Sequence, residues 1–153
     1  MKYALPLFCL LGGLPCGAAV PLGLSEVLAA VQKKVKIPVL FPRQLKASQE
    51  PYFVTSEVPD GSQYRIYISP VPQCTAHVCQ VGLLWGQAGG KPLKAEKVKV
   101  GHRLGYYTPA HTAATFVDPS LQWYEGTVLY TLWWKGATKE ELIDMATSMK
   151  LRP

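Results

Sequence analysis

Two neighbouring cysteines, three histidines and a late cluster of aromatic residues are the groups in this chain whose chemistry could be put to use. Cys74-Thr75-Ala76-His77-Val78-Cys79 places four residues between two thiols, a span that can close a small loop between sulfurs. A redox pair more often has two residues between its cysteines, which lowers the thiolate pKa. A metal centre needs two further ligands, and His77 is the only one nearby in sequence. The spacing favours a structural disulfide between Cys74 and Cys79, with the redox and metal readings as alternatives. His102 and His111 flank Tyr106, Tyr107 and Pro109. A general base needs a positioned partner such as a carboxylate, and the spacing of Asp118 from His111 supplies none. Nucleophile elbow, phosphate-binding glycine loop and metallohydrolase helix motif are all absent from the sequence. The expectation is therefore of no cofactor, no metal and no catalytic residue.

The aromatics concentrate at Tyr106, Tyr107, Trp123, Tyr124, Tyr130, Trp133 and Trp134. Side chains alternate across a strand, so each adjacent pair puts one ring on either face. One ring of each pair then belongs to the core. The other lies on a second face, which is either covered by another layer or open to an apolar group or a glycan. Basic residues crowd the same region at Lys91, Lys94, Lys97, Lys99 and Arg103, in a chain of net charge +6. Such a run is either a solvated face or a contact for anionic lipid or wall polymer, which match it better than nucleic acid does. The candidate ligand-binding set is Trp123, Tyr130, Trp133, Lys97, Lys99 and Arg103.

The compartment follows from the start of the chain. Met1 and Lys2 precede an apolar stretch from Tyr3 to Leu14, and small residues follow at Gly17, Ala18 and Ala19. This is the layout of a secretory signal cleaved after Ala19. Pro6, Gly12, Gly13 and Pro15 argue against a buried helix there. Residues 20–153 then form one domain, exported to the periplasm or beyond, with its two cysteines in an oxidising compartment. The whole chain of 153 residues is 48% hydrophobic and 17% charged, which supports a packed core and argues against disorder. Beyond the signal no apolar run is long enough to span a membrane.

Ser25 reads as the N-cap of a first helix, with Val27, Leu28, Val31 and Val35 on one stripe and Pro38 as its stop. Tyr52 to Val58 and Gln63 to Val71 read as a hairpin turned at Pro59-Asp60-Gly61-Ser62. In the return strand Tyr64, Ile66 and Ile68 share a face. Strands follow over Val78 to Trp85, Ala95 to Val100 and Arg103 to Thr108. A second hairpin runs from Leu121 through Glu125-Gly126 to Trp134. Thr138 and Glu141 form the capping box of a closing helix, lined by Leu142, Ala146 and Met149. The fold class is α+β. A curled antiparallel sheet of about six or seven strands is flanked by an N-terminal and a C-terminal helix.

Trp123, the turn at Glu125-Gly126, Tyr130-Thr-Leu132, Thr138-Lys-Glu-Glu-Leu-Ile143 and Ala146-Thr-Ser-Met149 form a recognisable pattern. It resembles a domain family of unknown function found on bacterial extracytoplasmic proteins, some attached to anti-sigma-factor-like membrane proteins. In that family a Trp strand and a Tyr strand lead into a helix ending in an Ala-x-Ser-hydrophobic motif. The resemblance implies structural roles for these residues and carries no catalytic ones. The loop from Cys74 to Cys79 is similar to that of small secreted bacterial proteins, chiefly cyanobacterial. More distantly, the layout is similar to that of lipoprotein carriers and related envelope lipid-binding proteins. The functional expectation is an exported, non-enzymatic binding module of the envelope or extracellular space, meeting an envelope polymer, lipid or protein. A carrier of lipid or another apolar ligand is one alternative. A hydrolase using His102 or His111 is the other.

Overall fold

Side chains alternate between the two faces of the sheet, and both helices pack on one of them, which becomes the buried face. The computed structural model describes residues 23–46, 52–74, 76–112 and 116–151. The signal sequence expected over residues 1–19 lies outside them. In chain order the elements are α1 (Leu24–Gln32), β1 (Leu40–Phe41), β2 (Phe53–Asp60), β3 (Gln63–Ser69), β4 (Gly82–Ala88), β5 (Glu96–Val100) and β6 (Arg103–Thr108). There follow β7 (His111–Thr112), β8 (Phe116–Val117), β9 (Ser120–Glu125), β10 (Val128–Trp134), α2 (Lys139–Ser148) and β11 (Lys150–Leu151). Seven strands pair antiparallel in the order β2-β3-β4-β10-β9-β6-β5, and the sheet does not close. The fold is α+β, with one helix near each end of the chain, as expected.

The chain lays down β2, β3 and β4 side by side, crosses to the far edge for β5 and β6, and returns through β9. Strand β10 then slots between β4 and β9, joining the two halves. Tyr64, Ile66, Ile68, Leu84, Trp123, Tyr130 and Leu132 lie on the inner face and are almost wholly buried. Leu28 and Val31 of α1 and Leu142, Met145 and Ala146 of α2 join them in one apolar cluster. Two buried tyrosines reach through this core to the segment after α1. The Tyr64 hydroxyl accepts from the Leu40 N–H at 3.0 Å, and the Tyr130 hydroxyl donates to the Pro38 carbonyl at 2.7 Å. The extended Pro38–Phe41 stretch thus gains partners for its backbone without a full strand.

Register makes room for the large rings. Tyr64, Gly86, Tyr130, Trp123 and Gly105 stand in one row across the inner face. A Cβ on Gly86 would meet Tyr64 at 2.6 Å, and one on Gly105 would meet Val100 at 2.6 Å. Small residues here allow bulky neighbours to interdigitate at native packing density.

Several boundaries differ from the sequence reading, each for a local reason. Helix α1 is capped by Gly23, in the left-handed conformation with φ 72°, and not by Ser25. The Ser25 hydroxyl instead bonds the neighbouring Glu26 carboxylate at 3.0 Å. The helix also ends at Gln32, so Val35 and Pro38 lie beyond it. Strand β2 runs through Pro59 to Asp60, leaving Gly61-Ser62 as the turn. A proline is tolerated because β2 is an edge strand, and the register shifts between Glu57 and Asp60. Val78 belongs to a 3-10 turn over His77–Cys79, and β4 begins only at Gly82. The turn is closed by the Cys79 N–H donating to the Ala76 carbonyl. The closing helix is as expected, with both halves of the Thr138–Glu141 capping box formed.

Candidate functional site on the open sheet face

Both helices take the inner face, so the side chains between the core positions point to the other side of the sheet. There Leu83, Trp85 and Gln87 of β4 stand beside Leu129, Thr131 and Trp133 of β10, with Ser120 and Gln122 of β9 next to them. They floor a groove of about 590 Å3, within the usual range for small-molecule sites. Trp85 and Trp133 sit two positions apart on neighbouring strands and are both partly exposed.

Three pieces of chain wall the groove. At one end the loop bridged by the Cys74–Cys79 disulfide brings in His77, whose ring centre lies 5.2 Å from that of Trp133. The two sulfurs are bonded to each other, as the spacing of the cysteines leads one to expect. The loop is further tied down by the Lys135 ammonium, which donates to the Val78 carbonyl at 3.2 Å. On another side the segment after Gly89 crosses the sheet and contributes Lys91 and Leu93. The Tyr124 hydroxyl holds it by donating to the Gly90 carbonyl at 2.7 Å. Gln122 holds it as well. Its carboxamide oxygen accepts from the Leu93 N–H at 2.8 Å, and its nitrogen donates to the Thr131 hydroxyl at 3.0 Å. That double commitment explains why a glutamine on the open face is only 5% exposed. Val117 and Asp118, just before β9, complete the lining.

The electrostatics are mixed. Asp118 is 7% exposed, and its Oδ1 has no hydrogen-bond partner among the described residues. Lys91 supplies the opposite sign at the rim. Trp85 is held by Arg65, whose guanidinium lies over the indole ring, 5.0 Å from its centre, and also pairs with Glu57 at 3.5 Å. The two indoles are thus held in place before any ligand arrives.

The expected ligand-binding residues divide between the two faces. Trp133 lines the groove. Lys97 and Lys99 are exposed on the same face. Lys97 pairs with Tyr106, which pairs with Gln122, so Lys97 stands two strands, about 10 Å, from the groove floor. Trp123 and Tyr130 lie on the inner face, stacked with ring centres 5.8 Å apart and sealed from solvent. Arg103 also falls on the inner side, where its guanidinium lies 2.8 Å from the Glu125 carboxylate. His102 is exposed, and His111 is exposed with its ring bonded to the Pro109 carbonyl at 3.1 Å. Among the described residues neither ring bonds a carboxylate or a hydroxyl.

Trp85, His77, Asp118 and Gln122 are the site residues that sequence reasoning missed. Trp85 had a signal, since it shares a face with Leu83 in an alternating run. Asp118 and Gln122 had none, because their role depends on which loop crosses the sheet. The chain matches no protein-family model, no curated protein and no solved structure.

Proposed function

We propose that this chain is an exported, non-enzymatic binding module that takes its ligand on the open face of the sheet. The observation that carries the reading is the groove itself: two partly exposed indoles, held by Arg65 and His77, beside the buried Asp118, whose Oδ1 has no partner among the described residues. Solvent-facing aromatics cost free energy in a chain that only folds, and they repay it where a ligand covers them. Export is supported by the Cys74–Cys79 disulfide, a bond that persists in oxidising compartments. Among the described residues no helix is long and apolar enough to cross a membrane.

A carrier of an apolar ligand is the second reading, favoured by Leu93 and Val117 at the rim, 59% and 39% exposed. Both readings are tested by retention of the purified protein on isolated envelope material. Trp133→Ala is expected to lower retention while leaving the unfolding midpoint nearly unchanged. Equal retention of the two proteins would remove the groove from consideration.

A further inference from the structure

We propose that the groove takes a neutral, hydroxyl-rich ring, a saccharide. This rests on the reading of the groove as a binding site and names its ligand class. The first argument is charge. The lining carries both signs, with Asp118 buried in it and Lys91 at its edge, and further cations stand on the same face at Lys97 and Lys99. An organic cation would meet those ammonium groups. A fatty acid or other anion would bring its charge toward the buried Asp118 carboxylate, where the cost of an unbalanced charge is greatest. A polyol avoids both costs, because each hydroxyl can donate to a carboxylate and accept from an ammonium.

The second argument is Asp118. Buried polar atoms nearly always have a partner, and its Oδ1 has none among the described residues. A ligand hydroxyl aimed at the carboxyl group supplies the missing partner. The third argument is the floor. A sugar ring has an apolar face of C–H groups flanked by hydroxyls, and the floor presents indole surface flanked by hydroxyl and carboxamide side chains. The rings of Trp85 and Trp133 are already held, by Arg65 and His77, so little side-chain entropy is lost on binding. A volume of about 590 Å3 accommodates a drug-sized ligand, roughly two or three sugar rings.

The test is calorimetric titration of the exported, disulfide-intact chain with cellotetraose, chitotetraose and dodecanoate. At least one tetrasaccharide is expected to bind. Asp118→Ala and Trp133→Ala should each weaken that binding about tenfold or more. Asp118→Asn keeps the side-chain volume and serves if the alanine variant fails to fold, with a several-fold loss expected. Pelleting with insoluble peptidoglycan separates the two sources of such a ring. Retention that chitotetraose competes away assigns a wall polymer, tetrasaccharide binding without retention assigns a free oligosaccharide, and either supports the inference. Dodecanoate binding that Trp133→Ala abolishes, with neither tetrasaccharide bound, overturns the saccharide and leaves the groove as the site. Tetrasaccharide binding that none of the three variants weakens overturns both. Absence of binding by either tetrasaccharide at millimolar concentration overturns the saccharide whatever else is found.

Discussion

The imidazole of His77 lies 5.2 Å from the indole of Trp133, with the two ring planes 36° apart. One residue belongs to the disulfide-bridged loop and the other to the strand that joins the two halves of the sheet. The contact converts a covalent feature of the chain into a wall of the groove. A loop with no core of its own is held over the open face by the bond, by this ring contact and by Lys135.

Replacing both cysteines, Cys74→Ala with Cys79→Ala, should therefore act on stability and on the groove together. Their sequence separation is only 5, so constraining so short a loop is worth about 2 kcal/mol. Urea unfolding of the variant checks the stability loss. The indole N–H resonance of Trp133 checks the loosened His77 contact, and an unchanged signal would contradict it.

Gly86→Ala should be disproportionately damaging for a one-carbon change. The new methyl would sit 2.6 Å from Tyr64 and 3.2 Å from Tyr130, the two rings that bond the segment after α1. Overpacking of this kind costs about 1–3 kcal/mol. Thermal or denaturant unfolding measures it, and a loss below a few tenths of a kcal/mol would show that the rings yield.

At the start of α2 the Thr138 hydroxyl accepts from the Glu141 N–H at 3.1 Å, and the Glu141 carboxylate accepts from the Thr138 N–H at 2.8 Å. Thr138→Ala is expected to cost about 1 kcal/mol. The Thr138 N–H, with Lys46 adding to it, holds the Glu141 carboxyl below its ordinary value. The stabilisation is present above that ordinary value and is lost as pH falls through the depressed one. Acid unfolding of the Glu141→Gln variant should accordingly depend less on pH than that of the parent.

Alkaline pH should weaken the fold from the inside. Burial pushes both the Tyr64 and Tyr130 hydroxyls well above the ordinary value of 10.0, and Glu125 adds to the shift at Tyr130. Ionisation is therefore easier in the unfolded chain. The stability from keeping the two hydroxyls neutral is complete below pH 10.0 and declines as pH rises beyond it. The urea midpoint should fall between roughly pH 9 and roughly pH 11, and a flat midpoint over that interval would contradict the burial of the two rings.

The fold was readable wherever local chemistry decides structure. Thr138 and Glu141 announce a helix start because the capping box is complete within four residues. The alternation of Tyr64, Ile66 and Ile68 fixes the buried face of β3 because a strand has only two faces. The site was readable in part. The pair Trp133-Trp134 had to place one indole on each face, yet which one is open depends on where two distant helices dock. The same long-range choice sends Trp123 and Tyr130 into the core. Arg103 looks like a member of the basic cluster in sequence. Its parity with Gly105 turns it inward to Glu125. Asp118 gives no local sign of its role, because its burial is made by packing around β9 and not by its neighbours in sequence.

The most direct measurement uses the four tryptophans as internal reporters, two in the groove and two in the core. Indole N–H spectra of the disulfide-intact chain would be recorded alone, with chitotetraose and with dodecanoate. Chitotetraose is expected to move the signals of Trp85 and Trp133 and to leave those of Trp123 and Trp134 in place. If neither probe moves Trp85 or Trp133, the open face is not where this protein binds.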